Sequence, residues 1–397
     1  MAAASFHTWR MIGISAALVL CFAASICGQP EDRTPDRTAD AARVLSPQEW
    51  KRVDAAVARA LVWLAAQQQS DGSFPTLDNG QPGVTCLCTL AFMAHGHLPG
   101  EGPYGEQLKR ASEYALKCQK PNGLITLIGP DGSQISRGIP HDIGNTCAYN
   151  HGISSLTLSE LYGATPPEDA EHFKSAISLA LRATLEMQRW PKDRAIDLGG
   201  WRYIDNFDDK DSDLSITGWQ LMFLRSARNA GFDVPEESID DAVAYVRRTF
   251  TERYGAFCYA ADESTDFRSR GMAGAGILAL AHAGYHNAPE AIRSGDWILQ
   301  HDFKNYNEIE LFQQSWKNDR YHYGVFNCCQ AMYQLGGRYW EQFFPGAVRT
   351  LLANQQPDGS WPAENHHHDA QYGNAYTTAL VLLTLGAPNQ LLPIYQR

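Results

Sequence analysis

The stretch Gln68-Gln-Ser-Asp-Gly72-Ser-Phe74 returns as Gln119-Lys-Pro-Asn-Gly123-Leu-Ile125 and as Gln355-Gln-Pro-Asp-Gly359-Ser-Trp361. Weaker copies are Gly199-Gly-Trp201, which follows Gln188 after an insertion, and Gly255-Ala-Phe257. A sixth copy would follow Gln300, where the glycine is lost. A phrase that returns at a period of roughly 50 residues marks a repeat protein, whose domains cannot be counted by dividing its length. The phrase has a mechanical reading. Its glycine permits a positive φ where a helix ends, and its aromatic residue covers the apolar seam beneath. The glutamine side chain is expected to bond the exposed first backbone N–H groups of the next helix.

Around each phrase the hydrophobic pattern changes. Before the first copy, Trp50, Val53, Val57, Leu61 and Leu64 form one stripe, with Lys51, Arg52, Asp54 and Arg59 opposite. Before the fourth, Pro235-Glu-Glu opens a helix in which Ile239, Ala242, Val243 and Val246 share a face. The segments after the phrase, starting at Val84, Ile143, Asp213, Gly271, Tyr323 and Asn374, are apolar nearly all round. They are rich in small residues, as in Gly271-Met-Ala-Gly274-Ala-Gly276-Ile-Leu-Ala-Leu. A helix apolar on every side is buried on every side, and small residues let neighbours approach closely. Six amphipathic helices alternating with six buried ones predict an all-α (α/α)6 toroid, an outer ring around an inner ring, over 46–397.

The 397 residues carry a formal charge of −11 and are 44% hydrophobic. The apolar content excludes a disordered chain, and no basic stripe offsets the acidic balance, so no nucleic-acid partner is expected. Residues 1–28 read as a secretory signal: Arg10, then the apolar run Met11 to Ala24, then small residues through Gly28, with cleavage between Ala24 and Gln29. Cys27 hints at a lipoprotein anchor, but Ile26 stands where a small residue is wanted. Residues 29–45 read as a flexible polar leader. No later segment is a transmembrane candidate, so an exported protein, periplasmic or secreted, is expected. The odd set Cys86, Cys88, Cys118, Cys147, Cys258, Cys328 and Cys329 cannot pair completely and reads as small buried residues.

The phrase, its period and the outer/inner alternation resemble the squalene cyclase and protein prenyltransferase repeat superfamily, from Ser46 to Arg397. Nearest in kind are exported bacterial single toroids carrying prenyltransferase and squalene-oxidase repeats. The resemblance implies a central cavity at the face where outer-to-inner turns converge, and an isoprenoid-like or other apolar ligand within it. Squalene-type cyclases carry Asp-x-Asp-Asp at the turn that here reads Asp205-Asn-Phe-Asp208-Asp209-Lys-Asp211-Ser-Asp213-Leu214-Ser215. Asp211 and Asp213 match the first two acids, which makes Asp213 the candidate general acid, and Leu214 replaces the third. The structural alternative is Asp213 as an N-cap with Asp211 favoured by the helix dipole. Asp209-x-Asp211-x-Asp213 also sets carboxylates at alternate positions, a spacing suited to calcium, but Leu214 and Gln220 exclude an EF-hand loop.

Prenyltransferase zinc is not expected either. Ser215 stands where the resemblance needs a thiolate, and Tyr372-Gly-Asn374-Ala-Tyr376 offers no histidine. Tyr104-Gly105-Glu106-Gln107 lacks the cysteine of the thioester domains. No metal and no cofactor are therefore expected. His141-Asp142-Ile-Gly-Asn145-Thr-Cys147-Ala-Tyr149-Asn150-His151 brings a cysteine and a histidine to i,i+4 spacing, a pattern of nucleophilic catalysis or of a self-satisfied polar helix. Arg268 and Arg270, then Asp319-Arg320-Tyr321-His322-Tyr323, stand at matching turns, and His366-His367-His368-Asp369 reads as an exposed loop. The candidate catalytic set is Asp213, Asp211, His141 and His322. The expected cavity lining is Asn145, Cys147, His151, Trp201, Trp219, Arg270, Tyr323 and Tyr376. Two other readings stay open: a carbohydrate-active toroid, lyase or hydrolase, using Asp211, Asp213, His141 or His322, and a non-catalytic envelope binding or scaffold protein.

Overall fold

The computed structural model describes residues 42–205, 210–261, 268–308 and 319–396, all within the compact unit Asp36–Arg397. The expected signal segment lies outside them, as do Asp208 and Asp209. The outer helices are α1 (Pro47–Gln67), α3 (Gly105–Lys117), α5 (Pro167–Gln188), α7 (Glu236–Arg248), α9 (Pro289–Gln300) and α11 (Arg338–Ala353). The inner helices are α2 (Gly83–Met93), α4 (His141–Tyr162), α6 (Leu214–Asn229), α8 (Arg270–His282), α10 (Tyr321–Leu335) and α12 (Gly373–Leu385). A two-residue hairpin in the fourth turn, β1 (Phe250–Thr251) and β2 (Ala256–Phe257), pairs Phe250 with Phe257. Each inner helix begins within two residues of its expected start.

Local chemistry sets the helix starts. Ser46 and Glu49 form a reciprocal capping box ahead of Pro47, with Ser46 N donating to Glu49 Oε2 at 2.9 Å. Helix α1 then buries Val53, Ala56, Val57, Ala60, Leu61 and Leu64. Every residue of α2 is buried, as its unbroken apolar run requires. Each inner helix packs on the next in chain order, and α12 returns to α2, where His95 Nε2 meets Leu382 O at 2.9 Å. That return closes the inner ring.

The recurring phrase builds the same joint four times. Gln68 Nε2 donates to Gly72 O at 2.9 Å and to Gln107 O of α3 at 2.7 Å. Gln119 does the same to Gly123 O and to Ala176 O of α5. Gln188 serves Gly199 O and Ser238 O of α7, and Gln355 serves Gly359 O and Ala56 O of α1, both Gln355 bonds at 2.8–2.9 Å. The last joint therefore ties the end of the chain to its beginning. The expected acceptance of helix N–H groups is corrected here: the amide donates to carbonyls, because the next outer helix presents its flank to the turn and not its end.

The glycine is fixed by two constraints at once. Gly199 has φ +87°, and a Cβ on it would collide with the Asp241 carbonyl of the next outer helix. Gly359, with φ +99°, would set a Cβ 2.7 Å from Arg59 O. The aromatic residue docks through its backbone N–H onto a threonine of the following inner helix. Phe74 N meets Thr85 Oγ1 at 2.9 Å, Trp201 N meets Thr217 Oγ1 at 3.0 Å, and Trp361 N meets Thr378 Oγ1 at 3.1 Å. Trp201 and Trp361 are fully buried, and each indole N–H bonds a carbonyl of the preceding outer helix. Truncating such an anchor to alanine costs about 3–5 kcal/mol.

At the far end of the ring the C-terminal turn Pro393–Tyr395 forms a floor. Ile394 N donates to the buried Glu160 carboxylate at 3.1 Å, and Gln334 Nε2 donates to Tyr395 O at 2.7 Å. Among the described residues no helix is long and apolar enough to cross a membrane.

Candidate functional site

Because every inner helix follows an outer one, the inner-helix N-termini gather at one end of the ring. Asp213 caps α6 there with extended backbone, and its side chain is wholly buried. Its Oδ1 accepts from Ile216 N at 2.9 Å and from Ser215 Oγ at 2.7 Å, and its Oδ2 faces the Arg202 guanidinium at 3.2 Å. Burial pushes the Asp213 carboxyl up, and Arg202 with these donors pulls against it.

Two hydrogen-bonded paths lead away from this carboxylate, one through Ser215 and one through Arg202. In one, Ser215 Oγ meets Tyr149 OH at 2.5 Å. In the other, Arg202 donates to Tyr259 OH at 3.2 Å, and Tyr259 OH meets Tyr203 OH at 2.6 Å. Tyr323 and Tyr376 belong to the same field, in which Arg320 reaches both electrostatically while bonding Asp369 at 2.9 Å. All five tyrosines are half-buried, and the cluster they form at this end of the ring is termed the basin. Burial, then the Asp213 charge, raises the Tyr203 phenol to about 12. Each of these hydroxyls is thus a neutral donor at physiological pH.

Below the basin the inner helices leave a narrow void with room for about one water. Ser215, Tyr323 and Asn327 border it on the basin side, and Gly218, Trp219, Met222, Ala275, Leu278 and Ala279 supply apolar wall. Trp219 stacks on Phe326 with centroids 6.1 Å apart. At the rim, His141 is exposed and its Nδ1 meets Asp205 Oδ2 at 2.7 Å. The His141 ring stands edge-on to Tyr203, and Asn145, half-buried, lies one helical turn before Tyr149.

Other expected site residues face away from the basin. Asp211 accepts Asp193 N at 2.7 Å and meets Arg137 at 3.5 Å, which ties down the loop before α6. His322 is wholly buried, with Nδ1 on Glu364 Oε2 and Nε2 on Tyr306 OH, both at 2.9 Å. Arg270 pairs with Asp319 at 2.8 Å and donates to Asp302 O and Glu308 O. The cavity role expected for Cys147, His151 and Trp201 is likewise corrected. Cys147 Sγ meets Ile128 O at 3.0 Å, and burial raises its thiol to about 11. His151 Nδ1 accepts Ile125 N at 3.2 Å, so His151 takes the place that threonine holds in the other turns. Its burial lowers the imidazole to about 3.

Among the described residues the seven cysteines are all buried, and no group of three or more His, Cys, Asp or Glu is placed to hold a metal. Arg202, Tyr203 and Tyr259 are absent from the sequence expectation. Their signal is a second repeat: Trp201-Arg-Tyr203 and Phe257-Cys-Tyr259 place a tyrosine two residues past the turn aromatic.

Fold and site together define an α/α toroid with a tyrosine-lined basin at the N-terminal face of its inner helices. No family model matches the chain, and no curated protein matches it. Among solved structures, the type II terpene cyclase MstE from Scytonema is similar over 86% of this chain and 100% of its own, at 14% identity and TM-score 0.51. An MstE variant in complex with its substrate, geranylgeranyl dihydroxybenzoate, gives TM-score 0.52 at 15% identity, over 88% and 100% of the two chains. An inactive variant of the α-1,6-mannanase GH76A from Salegentibacter sp. HEL1_6, in complex with α-1,6-mannotriose, gives TM-score 0.58 at 12% identity, over 85% and 99%. At such identities the likeness is one of fold: this chain has the α/α toroid architecture common to those enzymes.

Proposed function

We propose that this protein is an exported toroid that takes a small, largely apolar ligand of isoprenoid type into its central basin. The observation that carries the reading is the cluster of half-buried tyrosines at the inner-helix N-termini, one of which, Tyr323, borders a small void walled by Trp219, Met222, Ala275, Leu278 and Ala279. Aromatic faces and apolar walls take up hydrocarbon, while a few fixed hydroxyls orient a polar end. In this reading Tyr149 and Tyr203 are the groups that touch the ligand. Asp213, with both oxygens engaged, holds those hydroxyls in place through Ser215 and Tyr259 and stands back from the ligand.

The hydroxyl-rich rim with the exposed His141 favours a second reading, a sugar stacked on the tyrosine faces. Native mass spectrometry of the protein purified from its own host separates the two. A co-purifying isoprenoid or lipid mass is the expected result. A sugar mass replaces the first reading with the second, and a ligand-free mass throughout overturns both in favour of a scaffold.

A further inference from the structure

The path from Asp213 to Tyr149 has a direction, which counting its protons reveals. Ile216 N, Ser215 Oγ and the Arg202 guanidinium face the Asp213 carboxyl at 2.9, 2.7 and 3.2 Å. Donors set about both oxygens are the surroundings of an ionised carboxylate, which can only accept. A serine hydroxyl has a single proton. That of Ser215 goes to Asp213 Oδ1, so at the 2.5 Å contact between Ser215 Oγ and Tyr149 OH the phenol is the donor. Tyr149 therefore points its proton inward, and its oxygen is left to the basin as an acceptor.

Tyr149 is half-buried, with Tyr203 and Tyr323 in its electrostatic reach. We infer that the basin selects a ligand whose polar end is a neutral hydrogen-bond donor, an alcohol, and that the Tyr149 oxygen is the specificity-determining acceptor. An aldehyde, ketone or ether would set its own lone pairs against those of Tyr149, leaving both without a proton between them. Charged heads are disfavoured for a different reason. Asp213 is paired with Arg202, and Asp369 with Arg320, whose charge reaches Tyr149. These charges are balanced within the protein, so an ammonium or a carboxylate on the ligand would be buried without a counter-ion. This rests on the proposed apolar-ligand reading and adds to it the chemistry of the ligand's polar end. Asp213 is here a positioning residue: through Ser215 it fixes which way Tyr149 points its proton, without touching the ligand.

The test is calorimetric titration of the full chain at pH 7 with geraniol, geranial and geranylamine, which share a tail and differ at the head. The native protein is expected to bind geraniol about tenfold more tightly than either of the others. Tyr149→Phe removes the acceptor and is expected to weaken geraniol to the level of geranial, with geranial itself changed by about twofold at most. Ser215→Ala frees the Tyr149 proton to point at the ligand. It is expected to close the same gap from the other side, by tightening geranial about three- to tenfold. Thermal melting reports whether each variant is folded, and the native comparison of the three heads stands without them. Geranial or geranylamine binding as tightly as geraniol in the native protein overturns the inference and leaves the apolar-ligand reading standing. A folded Ser215→Ala protein that keeps the native preference for the alcohol overturns it as well. Failure of the native protein to bind any of the three overturns that reading itself.

Discussion

The joints and the centre of this ring are built on opposite rules. At the joints one solution is repeated: Gln68, Gln119, Gln188 and Gln355 each tie their own glycine carbonyl to the flank of the next outer helix. At the centre the inner helices each bring a different residue, and only the turn tyrosines Tyr203 and Tyr259 recur. Helix α4 brings Tyr149, α6 brings Ser215 and Gly218, α10 brings Tyr323, and α12 brings Tyr376, while Tyr203 and Tyr259 come from the turns. Repetition serves closure, which every unit must satisfy alike. Departure from repetition serves a ligand, which meets each unit once. Substitutions at the joints should therefore read out in stability, and substitutions at the centre in binding.

The largest effect is expected at a joint glycine. Gly199→Ala combines left-handed backbone with a clash against Asp241 O, and should cost about 3–5 kcal/mol in urea unfolding. A cost under 1 kcal/mol would mean that the turn is not held as described. Next comes closure itself. Gln355→Leu leaves Ala56 O and Gly359 O without their donor and should cost about 2–3 kcal/mol, equal to Gln68→Leu within error. In a ring open between α11 and α1, Gln355→Leu would be nearly neutral while Gln68→Leu would not.

Acid should act on the joint where histidine replaces threonine. His151 is held near 3 when folded, because it is buried, against about 6.5 when unfolded. The unfolded chain therefore binds the extra proton between those values. The contribution is present in full above pH 6.5 and is lost as pH falls toward 3. At pH 5 His151 alone should remove about 2 kcal/mol relative to neutral pH, with His282, also lowered by burial to about 3, adding a similar amount. Chemical unfolding at pH 7 and pH 5 measures the sum, and His151→Gln should remove its share of the difference. A pH-independent stability over that range would contradict the buried, neutral assignment. The smallest effect on stability belongs to the centre. Tyr149→Phe forfeits one bond to Ser215, about 1 kcal/mol at most, yet should weaken geraniol about tenfold by titration. The reverse pattern would make Tyr149 a joint residue.

The fold was legible because its instruction is local. The Gln-x-x-x-Gly-x-aromatic spacing and the switch from striped to all-apolar helices suffice to number the helices and find their starts. The partner of each glutamine was not legible, since nothing in sequence tells whether the next helix presents its flank or its end. The site was legible only as a set of turns. In an inner helix buried on all sides no polar stripe marks the inward face, so Tyr149 and His151, about 200° apart around α4, look equivalent in sequence. The first faces the basin and the second the turn. The same ambiguity led Cys147 and Arg270 to be expected in the cavity and His322 in the catalytic set, whereas Tyr203 and Tyr259 announce themselves only when the tyrosine two residues past the aromatic is read as a repeat of its own.

Hydrogen exchange of the native protein with and without geraniol tests the division between joints and centre most directly. Slowed exchange confined to the first turns of α4, α6, α10 and α12, with the four glutamine joints unchanged, is the predicted result. Slowing at the joints or along the outer helices, with the inner-helix N-termini unaffected, would contradict it.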